Sequence, residues 1–388
     1  MSNFTKHKLS VDSKLPEIGM SIFCVMTKMA IDHNAINLAQ GFPDFNCSDE
    51  LIDLVNYYMR KGYNQYAPMP GVQKLRELIS AKTENLYGRK YNAENEITAT
   101  AGATQAIYTA ITAVVRPGDE IIIIEPAYDC YIPDVIASGG IPVCVKLIPP
   151  DYSYDWETIR KKISGKTKLI VINSPHNPTG SLITQNDIKQ LEEITRNNNI
   201  LIISDEVYEH IVFDDEKHIS LSESDELAKR TFIISSFGKT LHTTGWKLGY
   251  CAAPDYLMKE FRKIHQFVVF AANTPIQYAY ADYLQDENHY LKLNDFYKKK
   301  RDIFANEMQK SKFKILPCKG TYFQLLDYSM ISNLDDTEFS EYLTKEIGIA
   351  VIPISPFYEN GNSDKTIRIC FAKRDDVLIE AAKTLSKL

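Results

Sequence analysis

Short apolar runs alternate with amphipathic helical stretches between about residues 95 and 255 of this 388-residue chain. Short runs rich in β-branched residues are typical of buried strands, and the stretches between them are long enough for crossover helices. The alternation therefore predicts an α/β fold, doubly wound, with a mostly parallel sheet and helices on both faces. The predicted strands are residues 97–101, 120–125, 142–147, 168–173, 200–205, 231–237 and 247–252.

The pattern changes on both sides of this region. Upstream, helices are predicted from Ser48 to about Gly62 and over residues 72–87, and after Pro275 a long charged helix over 286–310 precedes a β–β–α–β–β–α succession. Single hydrophobic cores usually stop growing at about 250–300 residues. We therefore expect a large domain and a smaller α+β domain, with an arm that packs on the small one: residues 46–285, 286–388 and 1–45, respectively.

Composition narrows the function classes. The formal net charge of −6 argues against a nucleic-acid partner, because such partners require a basic face. The longest apolar runs, residues 110–115 and 121–124, fall far short of the ~18 residues that cross a bilayer, so no membrane partner is expected. The seven cysteines include no C-x-x-C pair, which favours reduced thiols in a cytoplasmic protein and no metal site.

Polar motifs follow three of the predicted strands. Residues 174–180 read Ser-Pro-His-Asn-Pro-Thr-Gly, residues 204–208 read Ser-Asp-Glu-Val-Tyr, and residues 235–240 read Ser-Ser-Phe-Gly-Lys-Thr. Ligands of open α/β sheets bind beyond the carboxyl ends of the strands, so these motifs are expected to meet at one edge. Each motif alone has an ordinary explanation, such as a turn asparagine before proline, a helix-capping aspartate or a solvated lysine.

The order Asn-Pro-x-Gly, Asp-x-x-Tyr and Ser-x-x-Lys resembles the fold type I aminotransferases of the aspartate aminotransferase superfamily, class I/II, over nearly the whole chain. Several stretches are most similar to bacterial methionine aminotransferases, with the kynurenine aminotransferase branch next: residues 64–69, 204–211, 235–240, 244–251, 273–275 and 315–323. The resemblance implies the PLP-dependent transferase fold type I, with pyridoxal 5'-phosphate (PLP) as cofactor.

The resemblance assigns roles around the cofactor ring to five side chains. Lys239 is expected to hold PLP as a Schiff base, which requires an amine that is partly neutral although its ordinary pKa is near 10.4. Asp205 is expected to keep the pyridine nitrogen protonated, because PLP acts as an electron sink in that state. Tyr208 and Asn177 are expected to donate to the phenolate oxygen, and Tyr128 to stack on the ring. Lys239, Asp205 and Tyr208 are the predicted catalytic residues.

The cofactor phosphate is expected at the start of the helix that follows the first strand of the large sheet. The resemblance places it on backbone N–H groups of Gly102, Ala103 and Thr104, at the kind of helix N-terminus that binds phosphate groups. Ser236 would add a hydroxyl, and Lys247 a positive charge. Many members of the family carry arginine at the position of Lys247, so phosphate binding here is expected to lack a bidentate contact.

The resemblance predicts that Arg368 binds the α-carboxylate of the substrate. It lies inside the apolar run Thr-Ile-Arg-Ile-Cys, and a buried arginine without a partner is costly. The planar guanidinium group matches a carboxylate. The resemblance adds Gly41, through its backbone, and Asn177 to the substrate site. A structural salt bridge of Arg368 is the alternative that the sequence leaves open.

The resemblance also implies a homodimer with shared active sites. Tyr66 matches a tyrosine that reaches the phosphate of the other subunit, and Phe270 matches a residue that reaches the other subunit's substrate pocket. Phe270 and Tyr322 predict an apolar substrate pocket, and residues 267–273 contain no arginine for a second carboxylate. We therefore expect methionine, and aromatic or other apolar amino acids, to give their amino group to a 2-oxo acid by a ping-pong mechanism.

Other function classes fit the sequence less well. A nicotinamide dehydrogenase would need G-x-G-x-x-G, and no two glycines are separated by one residue. A P-loop would need a glycine five residues before the glycine of a Gly-Lys pair. The chain has two Gly-Lys pairs, at residues 165–166 and 238–239, and neither is preceded by such a glycine. A regulator built on this fold would carry a DNA-binding module, whereas about forty residues precede Gly41. A PLP-dependent cysteine-conjugate β-lyase would use the same cofactor contacts and stays open. The preferred acceptor, the breadth of donors and the pathway are not fixed.

Overall fold

The computed structural model describes residues 11–361 and 364–388. Its α-helices are α1 Ile22–Asp32, α2 Asp49–Arg60, α3 Gln73–Tyr87, α4 Ala103–Val114, α5 Tyr131–Ala137, α6 Trp156–Lys162, α7 Gln185–Arg196, α8 Asp225–Ala228, α9 Phe237–Thr240, α10 Asp255–Val268, α11 Thr274–Tyr283, α12 Asn288–Leu291, α13 Leu293–Glu307, α14 Asp336–Tyr342 and α15 Asp375–Leu385. Its strands are β1 Ile36–Asn37, β2 Ile97–Thr100, β3 Glu120–Glu125, β4 Ile141–Lys146, β5 Thr167–Asn173, β6 Leu201–Asp205, β7 Thr231–Ser236, β8 Gly249–Ala252, β9 Lys314–Ile315, β10 Phe323–Asp327, β11 Ile349–Ala350, β12 Ile352–Pro353 and β13 Thr366–Cys370. None of the helices in these ranges is both long enough and apolar enough to cross a membrane.

The central sheet has seven strands in the order β2-β8-β7-β6-β5-β3-β4, and it is parallel except at β8, which runs antiparallel to both of its neighbours. Each predicted strand of the α/β region corresponds to one strand of this sheet. The predicted fold class is therefore confirmed. Chain order reverses between β5 and β3, which is the kind of position at which such sheets leave a crevice for ligands.

Apolar side chains on both faces of the sheet explain why its strands read as continuous hydrophobic runs. Ile121 and Ile123 of β3 belong to one buried cluster, and Ile122 and Ile124 belong to another. Successive side chains of a strand point to opposite faces, so each face needs its own helical cover. Helices α4 and α10 pack together on the face of Ile121 and Ile123.

A second sheet, β12-β13-β10-β9, is antiparallel and is formed by the last quarter of the chain. Strand β1 pairs with β11 in parallel, Ile36 opposite Ile349, which ties the segment before α2 to the C-terminal region. A third buried cluster lies here, between this sheet and helices α13 to α15. The predicted domain boundaries stay predictions, and residues 1–10 of the predicted arm lie outside the described residues.

The structure corrects the predicted elements at several points. The helix predicted over 286–310 is two helices, α12 and α13, which are separated at Lys292 and followed by a 3-10 turn at Met308–Lys310. Three strands follow α14 where two were predicted, because β11 and β12 pair in different sheets. Strand β8 begins at Gly249 and not at Lys247, whose φ of +53° belongs to the left-handed region. Ser48 precedes α2 as predicted, but its side chain makes no capping hydrogen bond.

Candidate active site

A cavity of about 250 Å³ lies at the carboxyl ends of the parallel strands. It brings together most of the predicted site residues, from both sheets and from the loop before α2: Gly41, Gly102, Ala103, Thr104, Tyr128, Asn177, Asp205, Tyr208, Ser236, Lys239, Lys247 and Arg368. Tyr66, Phe270 and Tyr322 do not line it. No set of three side chains suited to a metal ion occurs within residues 11–361 and 364–388.

Lys239 lies on the short helix α9, directly after strand β7. Its Nζ is 3.2 Å from the carbonyl oxygen of Gly41 and 3.0 Å from the hydroxyl of Tyr322. Burial lowers the pKa of Lys239 to about 8, and the nearby charges of Arg368 and Lys247 act in the same direction. At neutral pH a useful fraction of this amine is therefore uncharged and able to react with a carbonyl group.

Asp205 is the last residue of β6 and is 4% exposed. The Tyr131 hydroxyl donates to its Oδ2 at 2.6 Å, and the Val207 amide donates to Oδ1 at 3.3 Å. Burial raises the pKa of Asp205 to about 6, against these hydrogen bonds and the charge of Lys239. Within the described chain, no cationic side chain lies at ion-pair distance from this carboxylate. No helix begins directly after Asp205, so it does not act as the helix cap that the sequence left open.

Helix α4 presents an open N-terminus to the cavity. Gly102 precedes it with a φ of +80°, and no side chain caps the first turn. A Cβ atom on Gly102 would lie 3.3 Å from Nζ of Lys247, and one on Gly249 would lie 3.1 Å from the amide nitrogen of Ala103. Because neither glycine has a side chain, the Lys247 ammonium group can approach Gly102, and the Gly249 backbone can approach the amide of Ala103. This corner has the donors and the charge that a phosphate group requires.

Arg368 lies on β13 and is 1% exposed. Its Nη1 donates to Oδ1 of Asn177 at 2.8 Å and its Nη2 donates to the Ala39 carbonyl at 3.0 Å, whereas its Nε has no partner within the described residues. The rings of Phe323 and Phe23 lie 3.9 Å and 5.0 Å from the guanidinium carbon. Burial lowers the pKa of Arg368 to about 10, so the group is still charged at neutral pH.

No carboxylate of the described chain forms an ion pair with Arg368, so the structural salt bridge left open by the sequence is absent there. A buried cation with an unpaired N–H group and no anion is expensive unless a ligand supplies the anion. The contact with Asn177 also orients that amide, because its oxygen faces Arg368 and its nitrogen faces away.

Two tyrosines complete the wall of the cavity. Tyr208 is 3% exposed, and burial raises its pKa well above the ordinary value, which keeps it a phenol that can donate a hydrogen bond. Tyr128 lies beside Thr104, and its ring contacts the ring of Tyr131 edge-on, with 5.8 Å between the centroids. Burial likewise raises the pKa of Tyr128.

Tyr66 and Phe270 lie on the surface of their own chain. Tyr66 is 82% exposed and Phe270 is 45% exposed, and the two rings meet edge-on at 5.2 Å between centroids. Phe267, three residues before Phe270, is 85% exposed. These apolar rings are not part of the cavity of the chain that carries them.

Sequence reasoning missed several residues of the site. Tyr131 donates to Asp205, Phe23 and Phe323 cover Arg368, and Asn173 accepts from the Asn177 amide at 2.8 Å. Asn173 could have been found from its position at the end of a strand, directly before the motif of residues 174–180. For the aromatic residues the sequence offered no signal, because a chain with 23 tyrosines and 17 phenylalanines contains many that pack in the core.

The profile of the family described as aminotransferase class I and II matches residues 33–385. The chain therefore belongs to this family, whose members use PLP, and it is an enzyme of the transaminase type. The predicted family and enzyme type are confirmed.

Three comparisons place the chain more closely within the family. It is 48% identical to the methionine aminotransferase of Escherichia coli (strain K12), over 99% of this chain and 100% of that protein. A crystal structure of an Escherichia coli protein with methionine aminotransferase function matches with a TM-score of 0.96, covering 98% of this chain and 100% of the other. The kynurenine–oxoglutarate transaminase of Dictyostelium discoideum is 33% identical, over 95% of this chain and 94% of that protein.

Proposed function

We propose that this aminotransferase binds PLP in the cavity described above and transfers the amino group of methionine, and of other apolar or aromatic amino acids, to a 2-oxo acid. The observation that carries the proposal is the pair of unmatched charges in one cavity, the carboxylate of Asp205 and the guanidinium of Arg368. Each is buried, and neither has a partner of opposite charge at ion-pair distance in the described chain. PLP and an amino acid together would supply both partners.

The residues present fit PLP. The amine of Lys239 suits the aldehyde, Asp205 suits the pyridine nitrogen, and the N-terminus of α4 with Lys247 and Ser236 suits the phosphate. When bound, PLP supplies an electron sink for the charge that develops when Cα of the amino acid loses its proton. Lys247 is a single point charge, so it would hold the phosphate without the bidentate contact that an arginine would make.

The chain's own residues supply binding, orientation and proton transfer. Arg368 binds the substrate carboxylate through the edge that carries its unpaired Nε, with the Asn177 contact fixing the plane of the guanidinium group. Lys239 lies in the same cavity, and once its amine is free it can accept the proton from Cα. Positioned proton transfer of this kind contributes roughly 10²–10⁴ in rate.

The cationic side chains that line the cavity support a preference for substrates with an apolar side chain. Among the described residues that line the cavity, Lys239, Lys247 and Arg368 are the cations, and each already has a role. None is left for a second carboxylate, whereas Phe23 and Phe323 provide apolar surface beside Arg368. Methionine aminotransferase activity of the relative that is 48% identical over its whole length supports the same preference.

Steady-state kinetics test this preference. We expect kcat/KM for L-methionine to exceed that for L-aspartate by roughly 10²-fold or more, because a buried carboxylate without a partner is strongly disfavoured. A preference for L-aspartate would contradict the pocket. Product analysis tests the reaction type: formation of a 2-oxo acid matched by amination of the acceptor is expected, whereas ammonia and a thiol from a cysteine conjugate would indicate β-elimination. The comparisons give no support to elimination or to a regulatory role.

We further propose that the protein is a homodimer whose sites are shared. The exposed rings of Tyr66 and Phe270 contact each other and form an apolar surface that a second copy would cover, and they lie outside the cavity of their own chain. In a two-fold dimer the same surface of each chain can face the cavity of the other.

Subunit complementation tests the shared site. Hybrids of Lys239→Ala and Tyr66→Ala chains contain one site in which both residues are intact, and statistically half of the dimers are hybrids. Mixing two nearly inactive variants should therefore restore up to about a quarter of the wild-type activity. Activity no higher than the mean of the two parents, after verified subunit exchange, would show that Tyr66 does not serve the partner's site.

A further inference from the structure

The hydroxyl of Tyr322 and the carbonyl of Gly41 form a closed triangle with the amine of Lys239. Tyr322 is fully buried, and its hydroxyl donates to the Gly41 carbonyl at 2.6 Å. Lys239 Nζ lies 3.0 Å from the Tyr322 oxygen and 3.2 Å from the Gly41 oxygen. A phenol has a single hydrogen to donate, so the Tyr322 oxygen must accept a hydrogen bond from Lys239.

We propose that Tyr322 is a further catalytic residue, which together with the Gly41 carbonyl fixes the direction in which the lone pair of Lys239 points. This inference rests on the proposed function of Lys239. A neutral amine has two N–H groups and one lone pair, and the two acceptors engage both N–H groups. The lone pair then points away from both acceptors, towards the rest of the cavity that Lys239 lines.

The geometry gives Tyr322 a defined part in proton transfer. The lone pair of Lys239 would take the proton from Cα of the substrate, so that a C–H bond breaks and an N–H bond forms. Bound PLP would supply the sink for the electron pair left on Cα. In the resulting ammonium group, Gly41 and Tyr322 still hold two hydrogens. The third hydrogen is the proton that Lys239 accepted from Cα. It makes no hydrogen bond to Gly41 or Tyr322, so Lys239 can return this proton to the reacting molecule.

Two features of the surroundings indicate that this hydroxyl has more than a packing role. Thr321, directly before Tyr322, has a φ of +67°, which is a strained conformation for a β-branched residue. Tyr297 packs beside Tyr322, with ring centroids 5.5 Å apart, and it is just as buried although its hydroxyl has no partner in the described structure. This core therefore accepts a tyrosine ring without using its hydroxyl, whereas the hydroxyl of Tyr322 contacts a reacting atom.

The variant Tyr322→Phe tests the proposal, with Tyr297→Phe as the matched control. In the protein without cofactor, the pKa of Lys239 can be read from the pH dependence of amine labelling, quantified on the Lys239 peptide by mass spectrometry. Loss of an acceptor destabilises the ammonium form, so Tyr322→Phe should lower this pKa by about one unit. Tyr297→Phe should leave it unchanged.

The holoenzyme supplies the second readout. Tyr322→Phe should lower kcat for L-methionine roughly tenfold, with KM changed by less than about threefold, and should increase the isotope effect measured with α-deuterated methionine. An unchanged Lys239 pKa together with an unchanged isotope effect would overturn the proposal. Should Tyr322→Phe fail to fold, fluorotyrosine at position 322 keeps the ring, weakens the oxygen as an acceptor and should shift the pKa in the same direction. If wild type itself did not transaminate methionine, the proposed function would fail, whereas the labelling result would still test the triangle.

Discussion

Asp205 and Glu209 are two buried carboxylates on the same segment, yet their surroundings are opposite. Glu209, which is 5% exposed, lies 2.6 Å from the ammonium group of Lys82 and accepts hydrogen bonds from Tyr87, Ser235 and Tyr250. Asp205, which is 4% exposed, accepts from one phenol and one amide and has no cation at ion-pair distance in the described chain.

The pKa shifts of the two groups differ in sign for this reason. Burial alone would raise both. For Glu209 the charge of Lys82, with hydrogen bonds from Lys82 and Ser235, outweighs burial and lowers the pKa well below its ordinary value. For Asp205 burial wins, and the pKa rises to about 6. The fold thus neutralises one carboxylate internally and leaves the other for a positively charged ligand, which is how a functional group can be told from a structural one.

The largest effect is expected from removing the charge of Asp205. Asp205→Asn should fold and retain much of its cofactor but lose at least about 10²-fold in kcat, because an amide cannot stabilise a pyridinium charge. Glu206→Gln is the control, since Glu206 is buried in the same segment but bonds to Ser204 and His218, away from the cavity. Turnover of Asp205→Asn within a few-fold of wild type would remove Asp205 from the mechanism.

Glu209 should matter for stability. Glu209→Gln leaves the ammonium group of Lys82 without its buried partner, so the free energy of unfolding in urea at pH 7 should fall by about 3–5 kcal/mol. The double variant Lys82→Met/Glu209→Gln should recover part of this loss, because no unpaired charge remains. A loss below about 1 kcal/mol in the single variant would show that the ion pair is not the structural element described above.

The pH dependence of stability should separate the two carboxylates in the protein without cofactor. The folded pKa of Asp205 is about 6, above its ordinary value of 3.8, so between these values the folded state binds more protons than the unfolded state. The cost of burying Asp205 is therefore fully present above pH 6 and disappears as the pH falls towards 4. Asp205→Asn should be more stable than wild type by about 1–3 kcal/mol at pH 7.5 and equal to it near pH 4.

The effect of Glu209 on the pH dependence of folding stability should be opposite to that of Asp205. Its lowered folded pKa contributes stability that is present above its ordinary value and lost as the pH falls through the folded value. The difference between wild type and Glu209→Gln should therefore shrink on acidification, with wild type the more stable at pH 7.5. Urea unfolding across the pH range measures both variants, and parallel curves for the two would contradict the comparison.

The smallest effect is expected at Tyr131. Tyr131→Phe removes one hydrogen bond to Asp205 and leaves the carboxylate in place, so kcat should fall by roughly tenfold or less. The pKa of Asp205 should rise further, which pH titration of the unliganded protein can detect. Tyr131→Phe with the same kcat and the same titration as wild type would show that the contact only packs the ring.

The central sheet could be predicted from sequence because its strands are buried on both faces, which makes them short, uninterrupted apolar runs. The residues at the ends of these strands, such as Asn177, Asp205 and Lys239, could be placed at one edge because parallel topology brings carboxyl ends together. The break at Lys292 escaped prediction because neither proline nor glycine interrupts the sequence between α12 and α13.

Contacts made by tertiary packing could not be predicted. Nothing in the sequence pairs Tyr131 with Asp205 or Glu209 with Lys82, which are separated by more than seventy and more than one hundred residues. Tyr322 was predicted as a wall of the substrate pocket, but its ring lies outside the cavity lining and its hydroxyl contacts Lys239. Tyr66 and Phe270 lie on the surface of the chain that carries them, and their predicted roles belong to the proposed dimer.

The site of cofactor attachment is the most direct test of the account. Borohydride reduction of the holoprotein, followed by peptide mapping, should place the reduced cofactor on Lys239 alone. Lys239→Ala should still bind PLP through the N-terminus of α4, Lys247 and Ser236, but it should retain no cofactor after reduction and denaturation. Lys239→Arg should also retain none, because attachment requires a reactive amine and not merely a positive charge. Cofactor fixed to another lysine, or fixed to the Lys239→Ala variant, would contradict the account.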